Sequence, residues 1–166
     1  MKVFGVVGWK NSGKTTLVER LVTEITARGL TVSTIKRAHH RVDVDQEGTD
    51  SWRHRAAGAR EVMLASSTRW ALMHELGDEE EPPLDGLLAR MTPVDLVIVE
   101  GFKRSRHDKL EVHRAESGGT LLAREDATVR AIATDTALPD LGRPVLSLDD
   151  VAGIADLILA ETGLGR

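Results

Sequence analysis

Residues 3–16 read VFGVVGWKNSGKTT, and this stretch decides the fold. Val3 to Val7 is a continuous apolar run that ends against Gly8, as a strand buried within a parallel sheet would. Gly8-Trp9-Lys10-Asn11-Ser12-Gly13-Lys14-Thr15 then completes the pattern G-x-x-x-x-G-K-[ST]. Each fixed position answers a physical need. Gly8 and Gly13 let the backbone wrap closely around an anion. The amides from Asn11 through Ser12, Gly13, Lys14 and Thr15 to Thr16 converge at the positive end of the following helix. Lys14 supplies a mobile charge for the β- and γ-phosphates, and the Thr15 hydroxyl is a candidate Mg²⁺ ligand. A nucleoside triphosphate is the ligand this stretch implies.

Outward from it, Leu17, Val18, Leu21, Val22 and Ile25 recur at helical spacing between Lys14 and Arg28, and Gly29 stands where a helix is closed. Leu30 to Ile35 reads as a second strand, so the first 35 residues form a βαβ unit. From Lys36 to Asp50 the pattern is lost and a long polar loop is expected. Asp50 or Ser51 then caps a short helix ending near Gly58. Glu61 to Ala65 and Arg69 to Leu76 read as a hairpin around Ser66-Ser67-Thr68, at a sheet edge or outside the main sheet. Leu84 to Met91 reads as a helix. Val94 to Val99, Leu110 to His113, Val129 to Thr134 and Val145 to Leu148 read as strands, and Asp149 to Thr162 as a closing amphipathic helix. Strands alternating with helices predict an α/β fold, a three-layer phosphate-loop domain with a mostly parallel central sheet. One domain spans 1–166, with 57–80 as a hairpin insertion.

A carboxylate that organises Mg²⁺ belongs at the end of a neighbouring strand. Asp95-Leu96-Val97-Ile98-Val99-Glu100-Gly101 is the strong candidate. Asp95 opens that strand, roughly 16 Å from Glu100 at the usual rise per residue. Ligands bind at the carboxyl ends of parallel strands, so Glu100 is correctly placed and Asp95 is not. Gly101 then lets a backbone amide approach the γ-phosphate or its attacking water. In the long loop, His39, His40, Asp43 and Asp45 occupy the position that often feeds switch residues toward phosphate and metal. Asp45, or Asp43, is the candidate there for Mg²⁺ and its water. A transition-metal site on the same residues and a plainly solvated loop stay open. Lys103-Arg104-Ser105-Arg106-His107 either faces phosphates of a second ligand or is solvated. His54, His74, Trp52 and Trp70 occur singly and read as packing or surface residues.

Composition narrows the classes. The net charge of −4 and the five aromatics among 166 residues argue against a nucleic-acid partner. No apolar run approaches the length that crosses a bilayer, so no membrane association is expected. The opening apolar run is too short for a secretory signal, so the chain is expected to start as mature structure. The absence of cysteine removes disulfides and thiolate chemistry, and with the rest favours the cytoplasm.

The segments GWKNSGKTT, HHRVDVD, DSWRHRAAGA, RWALMHE, VEGFK and KLEVHR, in this order over Val3 to Arg114, resemble the molybdopterin-guanine dinucleotide biosynthesis adapter (MobB) family. The phosphate-loop motif is shared by many families; HHxxDxD followed by DSxxxRxAGA and VEGFK is far more specific. The resemblance implies a GTP-binding protein of the class that includes dethiobiotin synthetase and the nickel-insertion GTPases. It implies Mg²⁺ as cofactor, a homodimer, and association with the guanylyltransferase that joins GMP to molybdopterin, with molybdopterin itself a further candidate ligand. Carried over, Gly8, Lys10, Asn11, Ser12, Gly13, Lys14, Thr15 and Thr16 are the nucleotide loop, and Glu100 and Gly101 the second phosphate motif. Glu100 and Asp45 are the candidate catalytic pair, and Thr15, Asp45 and Glu100 the metal set. His39, His40, Asp43, Asp45, Asp50, Ser51, Arg55 and Gly58 match the family signature. Two departures stand out. The guanine-reading [NT]-K-x-D motif is absent, leaving Thr134-Asp135 as the candidate base contact. Trp9 occupies the position where deviant phosphate loops carry a trans-acting lysine.

Two other classes fit the phosphate loop: a small-molecule kinase, which would need an arginine-rich lid, and a metallochaperone GTPase, which would usually carry more than six scattered histidines. Without an assured arginine finger, intrinsic hydrolysis is expected to be weak.

Overall fold

The computed structural model describes residues 1–38 and 43–165; His39 and His40 lie outside the described residues. In chain order the elements are β1 (Lys2–Gly8), α1 (Lys14–Ala27), β2 (Val32–Lys36), α2 (Asp50–Ala56), β3 (Glu61–Ala65), β4 (Trp70–His74), α3 (Leu84–Leu88), β5 (Leu96–Glu100), β6 (Lys109–His113), β7 (Val129–Thr134), β8 (Val145–Ser147) and α4 (Val151–Thr162). Short 3₁₀ turns occupy Ala115–Ser117 and Leu122–Arg124. The chain divides into two compact units, Met1–Arg37 with Met91–Arg166, and Ala38–Arg90.

The first unit is built on a six-stranded sheet in the order β2-β5-β1-β6-β7-β8, every neighbouring pair parallel. Period-two alternation sends Phe4 and Val6 of β1, Leu96 and Ile98 of β5, and Leu110 and Val112 of β6 into one core. There they meet Leu17, Val18, Leu21 and Ile25 of α1 and Ile154, Ala155 and Ile158 of α4. Each buried Val, Leu, Ile or Phe side chain among them contributes about 1.5–3 kcal/mol relative to exposure. Ile132, between Ala131 and Ala133, belongs instead to a smaller cluster with Ala123 and Val129. Gly29 closes α1 with φ +86°, its amide donating to the Thr26 carbonyl at 3.0 Å.

Boundaries shift where side chains compete for the backbone. The second strand begins at Val32 rather than Leu30, because Thr31 donates through both amide and hydroxyl to the Asp95 carboxylate, at 2.7 and 2.6 Å. At its other end the strand runs through Lys36, one residue past the expected Ile35, because Lys36 pairs in register with Glu100, the last residue of β5. The closing helix starts at Val151, capped by Asp150, which accepts from the Gly153 amide at 2.9 Å.

The second unit holds the hairpin as its own two-stranded sheet, with Glu61 opposite His74 and Ala65 opposite Trp70. Val62 is buried, whereas Met63, Leu64, Trp70 and Leu72 are exposed. The short helix α2 is capped by Thr49, not by Asp50 or Ser51: Trp52 donates its amide to the Thr49 hydroxyl. α3 ends at Leu88, three residues short of the expected Met91.

Candidate functional site

The carboxyl ends of β1, β2, β5, β6 and β7 gather the residues that matter. Leaving β1, the chain reaches Gly8 with φ +152°, where a Cβ would lie 2.3 Å from the Val112 carbonyl oxygen. No other residue fits against β6 at that distance. Gly13, at φ +92°, is the left-handed residue that opens α1. Between them Ser12 is fully buried, Asn11 adopts φ +63°, and Lys10 and Asn11 stand exposed. Thr15 and Thr16 follow on the exposed first turn of α1. The loop thus takes the sharp path that close backbone approach to phosphates requires.

Lys14 is folded back onto this loop. Its ammonium donates to the Trp9 carbonyl at 2.6 Å and lies 3.4 Å from the Ser12 hydroxyl. Burial, reinforced by the nearby charges of Lys103 and Lys36, lowers its pKa from the ordinary lysine value. The group expected to stand free for phosphates is therefore held by the loop itself, in a setting where an anion would be welcome.

Beside it, the Thr15 hydroxyl donates to Oε1 of Glu100 at 2.9 Å. The Lys36 ammonium donates to the Thr15 hydroxyl oxygen at 3.0 Å and pairs with the same Glu100 oxygen at 3.2 Å. The hydroxyl and carboxylate are hard oxygen donors of the kind Mg²⁺ takes, and a positive group already lies against both. The residues fit the metal. Lys36 was missed in the sequence because it reads as the first residue of a loop; only the parallel register with Glu100 shows it as a strand end. Gly101 has a structural post: its amide donates to the Val6 carbonyl at 3.1 Å, extending the β1–β5 ladder. That commits the donor which the sequence aims at the γ-phosphate.

Of the basic segment after Glu100, Arg104 and Arg106 are exposed, whereas Lys103 lies with its ammonium 4.0 Å from the centre of the Trp9 ring. The Trp9 indole donates to the Thr120 carbonyl at 2.8 Å. Lys109, fully buried, holds the segment from below, donating to the carbonyls of Ser105 (2.6 Å) and Lys103 (3.3 Å) and pairing with Asp126 at 3.1 Å. Burial pushes the His107 pKa down to about 4, with Lys109 adding to the effect. The alternation in KLEVH reads as a half-exposed strand, so the buried state of Lys109 and Glu111 was not legible. Glu111 accepts from the amides of Leu122 and Ala123 at 2.9 and 2.8 Å.

At the end of β6, Arg114 was also missed. A Cβ on Gly13 would lie 3.1 Å from its Nε, so the guanidinium flanks the phosphate loop. Its Nη1 donates to Asp135 at 3.0 Å. Asp135, the candidate base contact, also accepts from the Ala115 amide at 3.4 Å.

In the second unit, four of the signature residues close one polar network. Arg55 grips both oxygens of Asp43 at 2.8 Å and reaches Glu75 at 3.1 Å and Asp45 at 3.8 Å. Asp45 accepts from Ser51 (2.9 Å), Thr49 (3.2 Å) and the Gln46 amide (3.1 Å). The Arg55 contact, followed by the Asp45 amide, holds the Asp43 pKa down to about 2. Asp50 stands apart, 3.8 Å from Arg53. Among the described residues no group of three or more His, Asp or Glu side chains is arranged to hold a metal.

Comparison with known proteins gives the family and the fold. The family model for molybdopterin guanine dinucleotide synthesis protein B matches residues 3–135. The molybdopterin-guanine dinucleotide biosynthesis adapter protein of Haemophilus influenzae is 42% identical over 158 residues, covering 94% of this chain and 86% of that protein. Its Escherichia coli counterpart is 41% identical over 156 residues, covering 91% and 87%. A crystal structure of molybdopterin-guanine biosynthesis protein B superposes with a TM-score of 0.74 at 29% identity, over 96% of this chain and 99% of that one.

Proposed function

Because the chain belongs to the MobB family, we propose that it is a Mg²⁺-dependent GTP-binding adapter that supports attachment of GMP to molybdopterin. The observation that carries the nucleotide part is the phosphate loop itself: Gly8, Asn11 and Gly13 in the positive-φ backbone of a tight turn that leads into the N-terminus of α1, with Lys14 beside them. Thr15 and Glu100 would hold the metal, whose charge offsets that of the β- and γ-phosphates. This chain's own part is to grip the phosphates through loop amides and Lys14, and to fix the metal ligands against β5.

Calorimetric titration of the protein with GTP and with ATP, each with and without Mg²⁺, tests this reading. GTP should bind, more tightly with Mg²⁺ present and more tightly than ATP. Equal binding of both nucleotides would remove the guanine preference, and no binding of either would remove the nucleotide function. The adapter role predicts co-elution with the molybdenum cofactor guanylyltransferase in gel filtration.

The homodimer is part of the same proposal. Met63, Leu64, Trp70 and Leu72 expose more apolar surface than a solvated hairpin needs, and an open strand edge invites pairing with a second copy. Light scattering at micromolar concentration should give twice the chain mass, falling to one chain mass in Trp70→Asp. A monomeric wild-type protein would remove the dimer.

A further inference from the structure

We infer that the Lys36 ammonium is a built-in placeholder for the divalent cation, so that metal enters this site together with nucleotide and not before it. The inference rests on the nucleotide reading above and deepens it at the same site.

Three contacts carry it. The Lys36 ammonium lies 3.0 Å from the Thr15 hydroxyl oxygen and 3.2 Å from Glu100 Oε1, and those two oxygens are 2.9 Å apart, joined by the Thr15 proton. The three groups form a closed triangle whose two oxygen corners are the metal-ligand candidates. Glu100 is nearly buried, with 11% of its side chain exposed, so without a cation its charge would be poorly solvated. Lys36 supplies that cation from the strand end next door. A lone divalent ion arriving at the site meets a like charge that must leave first, and its ligands are already in use.

The placement of Lys36 also permits its release. Fifty-six per cent of its side chain is exposed, so the ammonium withdraws into water without unpacking any core. Backbone pairing keeps the residue fixed while the stem moves: Lys36 is in register with Glu100, and Arg37 donates its amide to the Glu100 carbonyl at 3.0 Å. A nucleotide brings negative charge beside this triangle, which both attracts the divalent ion and gives the displaced ammonium a new partner. Metal and nucleotide affinities are then coupled through Lys36, and by linkage the coupling is reciprocal.

The test is Mn²⁺ binding to the full chain without nucleotide, read by water-proton relaxation or by the electron paramagnetic signal of free Mn²⁺. Lys36→Met keeps the stem and removes the charge. It should bind Mn²⁺ at least about tenfold more tightly than wild type, since an opposite charge at this range favours an ionised carboxylate by roughly one to three logarithmic units, which the metal must otherwise displace. The gain should vanish in Lys36→Met combined with Glu100→Gln. A guanine triphosphate analogue should raise Mn²⁺ affinity by a larger factor in wild type than in Lys36→Met. Equal nucleotide-free affinity in wild type and folded Lys36→Met overturns the placeholder, as does a gain that survives loss of the Glu100 charge. Should Lys36→Met fail to fold, Lys36→Gln makes the same comparison. Failure of the analogue to bind wild type would remove the nucleotide reading alone, because the nucleotide-free comparison still decides the role of Lys36.

Discussion

The ammonium of Lys14 donates to the carbonyl of Trp9 at 2.6 Å, so the lysine of the phosphate loop is bonded to its own loop. This contact orients the side chain before any ligand arrives, and it must be exchanged when phosphate binds. Lys14→Ala should lower triphosphate affinity about ten- to a hundredfold, the worth of one charge-assisted contact at roughly 1.5–3 kcal/mol. Loop amides remain, so residual binding is expected. Titration with a fluorescent guanine nucleotide reads the loss, and a folded Lys14→Ala protein with undiminished affinity would contradict the loop's assignment.

Asp43 and Arg55 make the second unit acid-sensitive. The folded pKa of Asp43 lies at about 2, below the unfolded value of 3.8. A depressed carboxylate pKa contributes stability that is fully present above the unfolded value and is lost as pH falls through the folded one. The contribution should therefore disappear between about pH 4 and about pH 2. Amide hydrogen exchange of α2 should accelerate across that window in wild type. In Asp43→Asn exchange should already be faster at neutral pH, with a flatter acid response. Identical profiles would show that the grip of Arg55 on Asp43 does not hold α2.

Lys109 is a buried lysine whose three oxygen partners leave nothing unpaired. Lys109→Met fills the volume but strands the carbonyls of Lys103 and Ser105. A cost of about 1 kcal/mol, the low end for an acceptor left without its partner, follows for these part-buried carbonyls, while Asp126, 31% exposed, recovers solvation. Because these carbonyls anchor the segment that lays Lys103 on Trp9, Trp9 emission should also change. Urea unfolding in a Trp52→Phe, Trp70→Phe background, where Trp9 is the only emitter, measures both effects. An unshifted midpoint with unchanged emission would show that Lys109 holds nothing in place.

How much of this was legible in the sequence depended on whether a residue's role is local or comes from register. The phosphate loop is local: glycine spacing, the apolar run before it and the helical stripe after it appear in one stretch, and β1, α1 and Gly29 fall where that pattern puts them. Glu100 follows from the rule that ligands sit at strand carboxyl ends, and the structure brings it to Thr15 across 85 residues. Lys36 and Arg114 were not legible, because each becomes part of the site only through the strand order β2-β5-β1-β6. Nothing in the residues around them states that order. The signature around Asp43, Asp45, Ser51 and Arg55 was legible as a pattern but not as a network; its hydrogen bonds organise the start of α2.

Hydrolysis is where Arg114 bears on function. Phosphate-loop turnover needs a cation that neutralises charge developing on the transferred group, and a positioned arginine is worth ~10³–10⁵ in rate. Arg114 flanks Gly13, but its Nη1 is bound to Asp135 at 3.0 Å. An arginine whose Nη1 is held by a carboxylate is partly neutralised. Intrinsic GTP hydrolysis should accordingly run well below the median enzyme turnover of about 10 s⁻¹. Arg114→Ala should change that slow rate by less than about tenfold, far from the loss a working arginine finger would show. Glu100→Gln should lower the rate further by weakening the ligand set around Thr15, with nucleotide affinity falling less. Addition of the guanylyltransferase proposed as its partner should accelerate turnover by supplying the missing charge. Phosphate release measured under single-turnover conditions separates these outcomes. Tens of turnovers per second by the isolated protein would replace the adapter with a dedicated hydrolase or phosphotransferase.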